Sequence, residues 1–385
     1  MSGGNHIRYL GLLALIGALA IAAGIPARAT GADPAAFSTG VATANIAWEK
    51  PAIIAATLGD IAEAGFTRVR IGLKNPLSGT YRALEEAKRA DLEILVTIPL
   101  IDGAVAAKGA VPRPRTDGFF PSYGLSQIDL ARYQARLEDF LAFADVHQIP
   151  LIGLELGNEL NWSGYNGDLP LAARGHVIAT EADWTPEQRA LFAVGLDRYR
   201  AVIDITRTAL AKNPALSKVK LISAGLADIN SDFIVNSGAT YVAPDLVYRA
   251  FDTRDLFDHV DVVGIHLYEP LRFANSLGAR TDLIDSQLAP CGQNAFARRP
   301  CWLTEFGTAL PQQECAPDDR RRIEIMQPLL EYLDTPGNAE RVPQGFYYDW
   351  NDDAGFSLVR CGQPTALTRM LPRSNDGDGK DPGTP

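Results

Sequence analysis

Strand and helix patterns alternate through residues 40–350, and this alternation constrains the fold more than any other feature of the chain. Short apolar runs typical of buried strands are followed by longer segments with helical spacing. Such βα units build a parallel sheet, and eight of them close into a barrel. The sequence therefore predicts an α/β protein, a single-domain (β/α)8 TIM barrel. We expect its strands at residues 40–47, 67–73, 92–100, 149–156, 218–224, 260–268, 301–307 and 345–350.

Both ends of the chain differ from this pattern. His6 and Arg8 precede an apolar run, and Ala27-Arg28-Ala29 is typical of a signal cleavage site. Residues 1–29 are therefore predicted to be a signal peptide, with an uncleaved membrane anchor as the alternative. Residues 374–385 are polar and rich in Gly and Pro, which predicts a disordered tail. The barrel is expected to occupy residues 30–373.

Charge and cysteine content limit the partners. The formal net charge of -10 argues against nucleic acid, because phosphate binding needs a basic surface. It also disfavours a strongly anionic polysaccharide, although a local basic cleft could override the average. Export makes the four cysteines candidates for disulfides, and proximity in sequence favours Cys291–Cys301, leaving Cys315–Cys361. A metal site is the alternative, but there is no Cys-x-x-Cys pair, so we expect no metal and no cofactor.

Two predicted strands end in a carboxylate. The fourth stops at Gly157 and is followed at once by Asn158 and Glu159, and the seventh ends with Glu305 before Phe306-Gly307. The carboxyl ends of barrel strands form the face on which active sites lie. A pair of carboxylates on that face is what glycoside hydrolysis requires.

These two motifs resemble those of clan A of the glycoside hydrolases. The resemblance implies that Glu159 is the acid/base and Glu305 the nucleophile, with Asn158 bonded to the sugar 2-hydroxyl. The strand wording Leu-Glu-Leu-Gly-Asn-Glu is similar to family 79, and families 5 and 39 are also similar. Leu160 stands where family 5 commonly has a proline, so the family within the clan stays open.

Further residues match the clan by position. Arg70 resembles the strand-2 arginine of family 5 that keeps the nucleophile ionised, although Arg68 could be the inward arginine instead. Either one could pair with Glu155, which is interpreted as structural. His266 and Tyr268 resemble the His-x-Tyr that ends strand 6, where the tyrosine hydroxyl bonds the nucleophile.

Aromatic residues complete the predicted site. Trp350 ends strand 8, where the clan often places a tryptophan that stacks on sugar. Trp48, Trp162 and Tyr165 are weaker candidates for sugar subsites, since aromatic rings pack against pyranose faces. Trp302 is out of phase with Glu305 on its strand and is assigned to packing against a helix.

The predicted function is an exported, retaining β-glycosidase that hydrolyses O-glycosidic bonds of a poly- or oligosaccharide by double displacement. Long connections after strands 3 and 4 could form cleft walls, which favours endo action, although the same loops could instead close a pocket. We expect a monomer in the periplasm or outside the cell, with no stable membrane insertion after signal cleavage. The alternative is a catalytically inactive carbohydrate-binding or exopolysaccharide-assembly protein on the same fold.

Overall fold

A computed structural model describes most of the chain. It covers residues 36–114, 119–229, 231–268, 277–292, 294–295, 297–309, 315, 319–351 and 355–371. The predicted signal peptide at 1–29 and the tail at 374–385 lie outside the described residues. In the described ranges, no helix has the length and apolar character needed to cross a membrane.

Eight parallel strands form the centre of the fold. Their bounds are β1 Ser38–Ala42, β2 Arg68–Gly72, β3 Glu93–Ile98, β4 Leu151–Leu156, β5 Lys220–Ser223, β6 Val263–Leu267, β7 Cys301–Phe306 and β8 Gln344–Tyr348. They are hydrogen-bonded in the order β5-β4-β3-β2-β1-β8-β7-β6. Parallel bridges Ile222–Val262 and Leu226–Ile265 join β5 to β6. The sheet thus closes on itself, which confirms the predicted (β/α)8 barrel.

Helices lie between the strands along the chain. Their bounds are α1 Pro51–Glu63, α2 Leu77–Arg89, α3 Leu130–Val146, α4 Pro186–Ala211, α5 Ser231–Ser237, α6 Pro244–Asp252, α7 Leu277–Gln287, α8 Arg320–Leu333, α9 Pro336–Arg341 and α10 Ala366–Met370. The residues at the N-terminal ends of several helices determine where those helices begin. Pro51 is the first residue of α1, where its missing N–H costs nothing. Thr185 caps α4 by accepting a hydrogen bond from the Gln188 N–H.

An irregularity in β7 sets the direction of the residues at its end. Between Leu303 and Glu305, β7 advances two residues while β6 advances one, and its register against β8 shifts at the same place. The extra residue changes the alternation of side chains, as a β-bulge does. Trp302 therefore packs on a cluster inside the barrel with Leu95 and Phe346. The assignment of Trp302 to helix packing was wrong, because strict alternation does not hold across the bulge.

The two arginines of β2 face the same way, since they are two residues apart on one strand. Arg68 lies near the start of β2, where it pairs with Glu93 and donates hydrogen bonds to the Ser38 hydroxyl and the Gln344 amide oxygen. Arg70 lies nearer the carboxyl end of β2. Of these two arginines, Arg70 is the one placed to contact residues at the carboxyl ends of the strands.

The loops that follow β4 and β5 are tied together at the carboxyl ends of the strands. Segments His176–Ile178 and Thr240–Val242 pair as a two-stranded parallel sheet. Asn161 is buried and donates to the backbone oxygens of Ala227 at 2.8 Å and Val242 at 2.9 Å, while the Ala227 N–H donates back to its Oδ1 at 2.9 Å. One side chain thus joins both loops and holds the segment that follows Glu159.

Two disulfides lie in the last quarter of the chain. Cys291 pairs with Cys301, the first residue of β7, and Cys315 pairs with Cys361. These are the two pairs expected from the sequence. They close loops with sequence separations of 10 and 46 residues.

Candidate active site

The two carboxylates face each other at the carboxyl ends of β4 and β7. Gly157, with φ +91°, and Glu159, with φ +47°, turn the chain as soon as β4 ends. The turn brings Glu159 toward Glu305, the penultimate residue of β7. One carboxylate oxygen of each, together with a ring nitrogen of His266, lie within 4.8 Å of one another. The two carboxylates are therefore close enough to act on one bound molecule.

Glu305 is held in its ionised form. Arg70 Nη1 lies 2.5 Å from its Oε1, and the Tyr268 hydroxyl donates to Oε2 at 2.7 Å. Burial alone would raise the pKa of Glu305, but the charges of His266 and Arg70 and the tyrosine hydrogen bond lower it below the ordinary value. A buried, charged carboxylate with donors on both oxygens has the properties of a nucleophile.

Behind this pair lies a buried ion pair. Arg70 is 1% exposed, and its Nε and Nη2 lie 2.8 Å and 2.7 Å from Glu155 Oε2, which also accepts a hydrogen bond from Thr97. Burial would raise the pKa of Glu155, but Arg70 and His266 lower it to about 2. Burial would lower the pKa of Arg70, but Glu155 and Glu305 raise it, so the guanidinium stays charged. Glu155 therefore orients and neutralises Arg70.

Two side chains, those of Trp162 and His266, lie within hydrogen-bond distance of the Glu159 carboxylate. The indole N–H of Trp162 donates to Oε2 at 2.8 Å, and His266 Nδ1 lies 3.0 Å from Oε1. The same Nδ1 is 3.6 Å from Glu305 Oε2. Burial would lower the pKa of His266, but Glu305, Glu155 and Glu159 raise it to about 10. The imidazolium lies between the two facing carboxylates and offsets their repulsion.

Asn158 joins this network through Arg70. Its Oδ1 accepts a hydrogen bond from Arg70 Nη2 at 2.9 Å. Because that bond fixes which end of the amide carries oxygen, the Nδ2 group is left to donate outward. Asn158 lines the cleft beside Glu305, where a sugar hydroxyl would meet it.

The cleft beside Glu305 has a volume of about 380 Å³ and is lined by the neighbours of Glu159 in the sequence, Asn158 and Leu160. In the described part of the chain its walls come from the loops after β1, β2, β3 and β4 and from the ends of β7 and β8. The side chains that shape it include Trp48, Lys74, Phe120, Tyr165 and Tyr348. Phe120 and Tyr165 pack edge to face, with ring centroids 5.4 Å apart. Aromatic walls beside a carboxylate suit a saccharide, whose C–H faces pack on rings.

The structure corrects the assignment of Trp350. The strand ends at Tyr348, two residues earlier than predicted, and the chain then turns inward. Trp350 is 1% exposed and packs edge to face on Phe66 at 6.2 Å, inside the core. It cannot stack on a bound sugar there. Tyr348 lines the cleft instead.

Trp48 and Trp162, the other two tryptophans predicted to bind sugar, have different surroundings. Trp48 lines the cleft and is 61% exposed, in a position where a sugar can reach its ring. Trp162 is partly buried in a cluster with Phe119 and Phe233, and its indole N–H points at Glu159. Its polar contact is therefore with the carboxylate of Glu159.

Glu159, His266 and Glu305 are also the described residues whose ligand atoms could converge on a metal ion. Both oxygens of Glu305 are already bonded, to Arg70 and to Tyr268. A divalent cation would have to lie beside the guanidinium and compete with it for the same carboxylate. The arrangement therefore favours proton transfer and nucleophilic attack.

Comparison with known proteins supports the fold. No family model matches the chain, and no curated protein matches it significantly. A GH5_18 protein of Bifidobacterium longum subsp. longum, in complex with Manβ1-4GlcNAc, is 14% identical with a TM-score of 0.52, covering 88% of this chain and 80% of that one. A hyperthermophilic endocellulase from the archaeon Pyrococcus horikoshii is 11% identical with a TM-score of 0.51, covering 86% and 90%. The chain shares their barrel fold.

An exo-β-1,4-mannosidase from an Opitutaceae bacterium, strain TAV5, is 16% identical with a TM-score of 0.48. The match covers 87% of this chain but only 57% of the mannosidase. The chain therefore spans little more than half the length of that relative.

Proposed function

We propose that this protein is a retaining β-glycosidase in which Glu305 is the nucleophile and Glu159 the acid/base. The observation that carries the proposal is the asymmetry between two facing carboxylates. Glu305 is buried and bonded to Arg70 and Tyr268, which favours a permanent negative charge. Glu159 is less buried and lies at the edge of a turn, within reach of His266 and Trp162.

In the first step, Glu305 attacks the anomeric carbon of the sugar in the cleft. The bond to the leaving oxygen breaks, and Glu159 gives that oxygen its proton. A covalent glycosyl-enzyme results. The Nη1 atom of Arg70 contacts one carboxylate oxygen of Glu305. This contact holds the carboxylate in position during the attack.

In the second step, Glu159 is ionised and removes a proton from a water molecule. The water attacks the anomeric carbon, the bond to Glu305 breaks, and Glu159 regains its proton. The amide of Asn158, oriented by Arg70, donates to the hydroxyl next to the anomeric centre. Two inversions at one carbon give overall retention.

The substrate class and setting complete the proposal. The loops after β3 and β4 supply Phe120 and Tyr165 to one wall of the cleft, which supports endo action on a poly- or oligosaccharide. The two disulfides are compatible with an exported protein. Early products of many lengths from a long β-glycan would support endo cleavage, and release of a single sugar or disaccharide from one end would contradict it.

The test compares two variants on activated aryl β-glycosides of glucose, mannose and xylose. Glu305→Ala should abolish turnover for every leaving group, because no glycosyl-enzyme can form. Glu159→Ala should still be glycosylated, because an activated phenolate leaves without a proton. With natural leaving groups its rate should fall by about 10²- to 10⁴-fold, the usual contribution of a general acid.

Added azide makes the assignment of roles unambiguous. With Glu159→Ala it should attack the intermediate and give a β-glycosyl azide, and with Glu305→Ala it should replace the carboxylate and give the α-azide. Glu63→Ala, an exposed glutamate at the end of α1, is the matched control and should behave as wild type. Reversed anomers would exchange the two roles. Glycan binding without turnover in the wild type would support the inactive carbohydrate-binding alternative.

A further inference from the structure

We propose that Trp162 is a positioning residue for proton transfer, which anchors one oxygen of Glu159 so that the other oxygen carries the proton. The inference rests on the proposed function, because it takes Glu159 as the acid/base. It goes further by assigning a task to a side chain outside the reacting pair. The observation behind it is an indole N–H that neighbouring rings hold against the Glu159 carboxylate.

The two oxygens of Glu159 have different partners. Oε2 accepts a hydrogen bond from the Trp162 indole N–H at 2.8 Å. An indole nitrogen can only donate, so it cannot take a proton from this oxygen. Oε1 lies 3.0 Å from His266 Nδ1, a ring nitrogen that donates or accepts according to its tautomer. Of the two oxygens, Oε1 is therefore the one that faces a group able to give and to take a proton.

The chemistry of a carboxylic acid leads to the same oxygen. The protonated group has one hydroxyl oxygen and one carbonyl oxygen, and the carbonyl oxygen is the better acceptor. The indole bond therefore favours the form in which Oε2 is the carbonyl oxygen and Oε1 bears the hydrogen. In the first step the Oε1–H bond breaks and its proton goes to the leaving oxygen. In the second step Oε1 takes a proton from water, while Oε2 still accepts from the indole.

The indole itself is held in place. Its ring packs edge to face on Phe119 at 5.8 Å and on Tyr165 at 6.1 Å. Gly164 is required for this position, since a Cβ there would lie 2.2 Å from Trp162 Cζ2. An antiparallel backbone bridge joins Trp162 to Tyr241. The donor is thus fixed before a substrate binds, and it needs no reorganisation during the reaction.

A second loop supports the ring. Arg113, in the loop after β3, lies over the ring of Phe119 at 5.7 Å and donates a hydrogen bond to the Ser163 backbone oxygen. Phe119 is 6% exposed, so its ring is part of the protein interior. The loop after β3 therefore braces the residue that contacts the proposed acid/base.

Glu159 needs such an anchor because of its place in the chain. It lies in a turn after β4 with φ +47°, and its side chain is 13% exposed. Glu305, in contrast, lies within β7 and is bonded on both oxygens, by Arg70 and Tyr268. Trp162 thus provides for the proposed proton donor what those two residues provide for the proposed nucleophile.

Two other roles for Trp162 make different predictions. A platform for sugar predicts that loss of the indole N–H changes little, because the ring face binds the sugar. A purely structural ring predicts lower stability and the same fractional loss of rate for every leaving group. Positioning of the acid predicts a loss that grows with the leaving group's need for a proton. The dependence on the leaving group therefore separates the three roles.

The experiment uses aryl β-glycosides whose leaving groups range from 2,4-dinitrophenol to phenol, on whichever of glucose, mannose and xylose is hydrolysed fastest. The first step is read from kcat/KM. Trp162 is replaced by 3-benzothienylalanine, which keeps the fused ring but has sulfur in place of the N–H, and separately by phenylalanine. For the phenyl glycoside, kcat/KM should fall roughly 10- to 100-fold in both variants, as expected for a lost hydrogen bond to a charged group. For the dinitrophenyl glycoside it should fall less than about threefold, because that leaving group needs no acid.

Controls use the same series of substrates. Trp184→Phe changes a partly buried tryptophan that packs on Phe192 of α4, and it should keep both rates. Glu159→Ala should show the strongest dependence on the leaving group. In that background Trp162→Phe should reduce kcat/KM by less than about twofold, because the indole has already lost its acceptor. Circular dichroism of each variant checks the fold.

Three outcomes overturn the inference. They are an unchanged kcat/KM in the benzothienylalanine protein, an equal loss there for every leaving group, and a full further loss from Trp162→Phe in the Glu159→Ala background. The proposed function survives each of these if Glu159→Ala depends on the leaving group. If Glu159→Ala shows no such dependence, the acid/base assignment fails, and the inference fails with it. No hydrolysis of any aryl glycoside by the wild type would also reject both.

Discussion

Replacing Arg70 by methionine should destabilise the protein in a way that depends strongly on pH. Methionine keeps much of the side-chain length but removes the guanidinium. The loss leaves Glu155, which is fully buried, without the cation that contacts it at 2.7 Å, and Glu305 loses its contact at 2.5 Å. A buried charge that loses its partner is among the most destabilising changes known.

The size of the effect follows from Glu155. Its environment lowers the pKa from 4.5 to about 2, which corresponds to about 3 kcal/mol of preference for the ionised form. Arg70 is the leading favourable contribution to that preference. Breaking a buried ion pair on one side usually costs about 3 to 5 kcal/mol. We therefore expect the free energy of unfolding to fall by about 3 kcal/mol or more at neutral pH.

The sign of the pH dependence distinguishes this mechanism from simple loss of packing. In the wild type the folded pKa of Glu155 is depressed, so its contribution is present above the unfolded value near 4.5 and is lost as pH falls toward 2. In the variant, burial without the guanidinium raises the folded pKa. In that variant, Glu155 destabilises the fold least at low pH, where it is protonated. The variant's free energy of unfolding then falls as pH rises through the raised pKa. The difference between the proteins should shrink below pH 4.5.

Urea unfolding at about pH 7.5 and about pH 4, followed by circular dichroism, measures both values. Arg89→Met, an exposed arginine paired with Glu86 at the end of α2, is the control and should not change the unfolding midpoint measurably. The reasoning fails if Arg70→Met loses less than about 1 kcal/mol at neutral pH, well short of the cost of a broken buried pair. It also fails if the loss is the same at both pH values.

Three further outcomes are expected. Tyr268→Phe removes the hydrogen bond to Glu305, which should raise the pKa of Glu305, move the acidic limb of kcat/KM to higher pH and lower kcat/KM roughly 10- to 100-fold. An unchanged pH profile would contradict this. Replacing Cys315 and Cys361 by serine should lower the free energy of unfolding by about 4 kcal/mol, and replacing Cys291 and Cys301 by about 3 kcal/mol. The first loss is larger because that bridge closes the longer loop. Equal losses in urea unfolding would argue against loop entropy as the cause. Asn161→Ala should cost about 2 to 4 kcal/mol and speed proteolysis of the loop after β4, because it leaves buried backbone groups unpaired.

Much of the barrel could be predicted because its signals are local. Apolar runs and the Gly and Pro residues that end them placed seven of the eight strands within three residues at each end, whereas β1 ends at Ala42, five residues before its predicted end. The carboxylates were found for the same reason, since Glu159 and Glu305 each directly follow or end such a run. Of the two arginines of β2, Arg70 is the one that contacts Glu305, because it lies nearer the carboxyl end of the strand.

The errors have a common cause in the backbone. Tyr348 and Trp350 have the same parity, so alternation could not say which of them ends β8 on the cleft side. The bulge in β7 reverses the phase between Trp302 and Glu305, and a sequence carries no direct sign of the extra residue. The contact between the Lys74 ammonium and the ring of Trp48 could not be predicted either, because it depends on how two separate loops meet.

The left-handed backbone of Glu159 has a consequence for how this protein would change under selection. A glutamate at φ +47° is held in a conformation that glycine or asparagine adopts more easily, and such strain costs on the order of 1 to 3 kcal/mol. Selection for thermal stability alone, with no demand for turnover, would therefore reward replacement of Glu159 by one of them. The proposed proton donor would be among the earliest losses, and a chain freed from catalysis would gain stability from losing it.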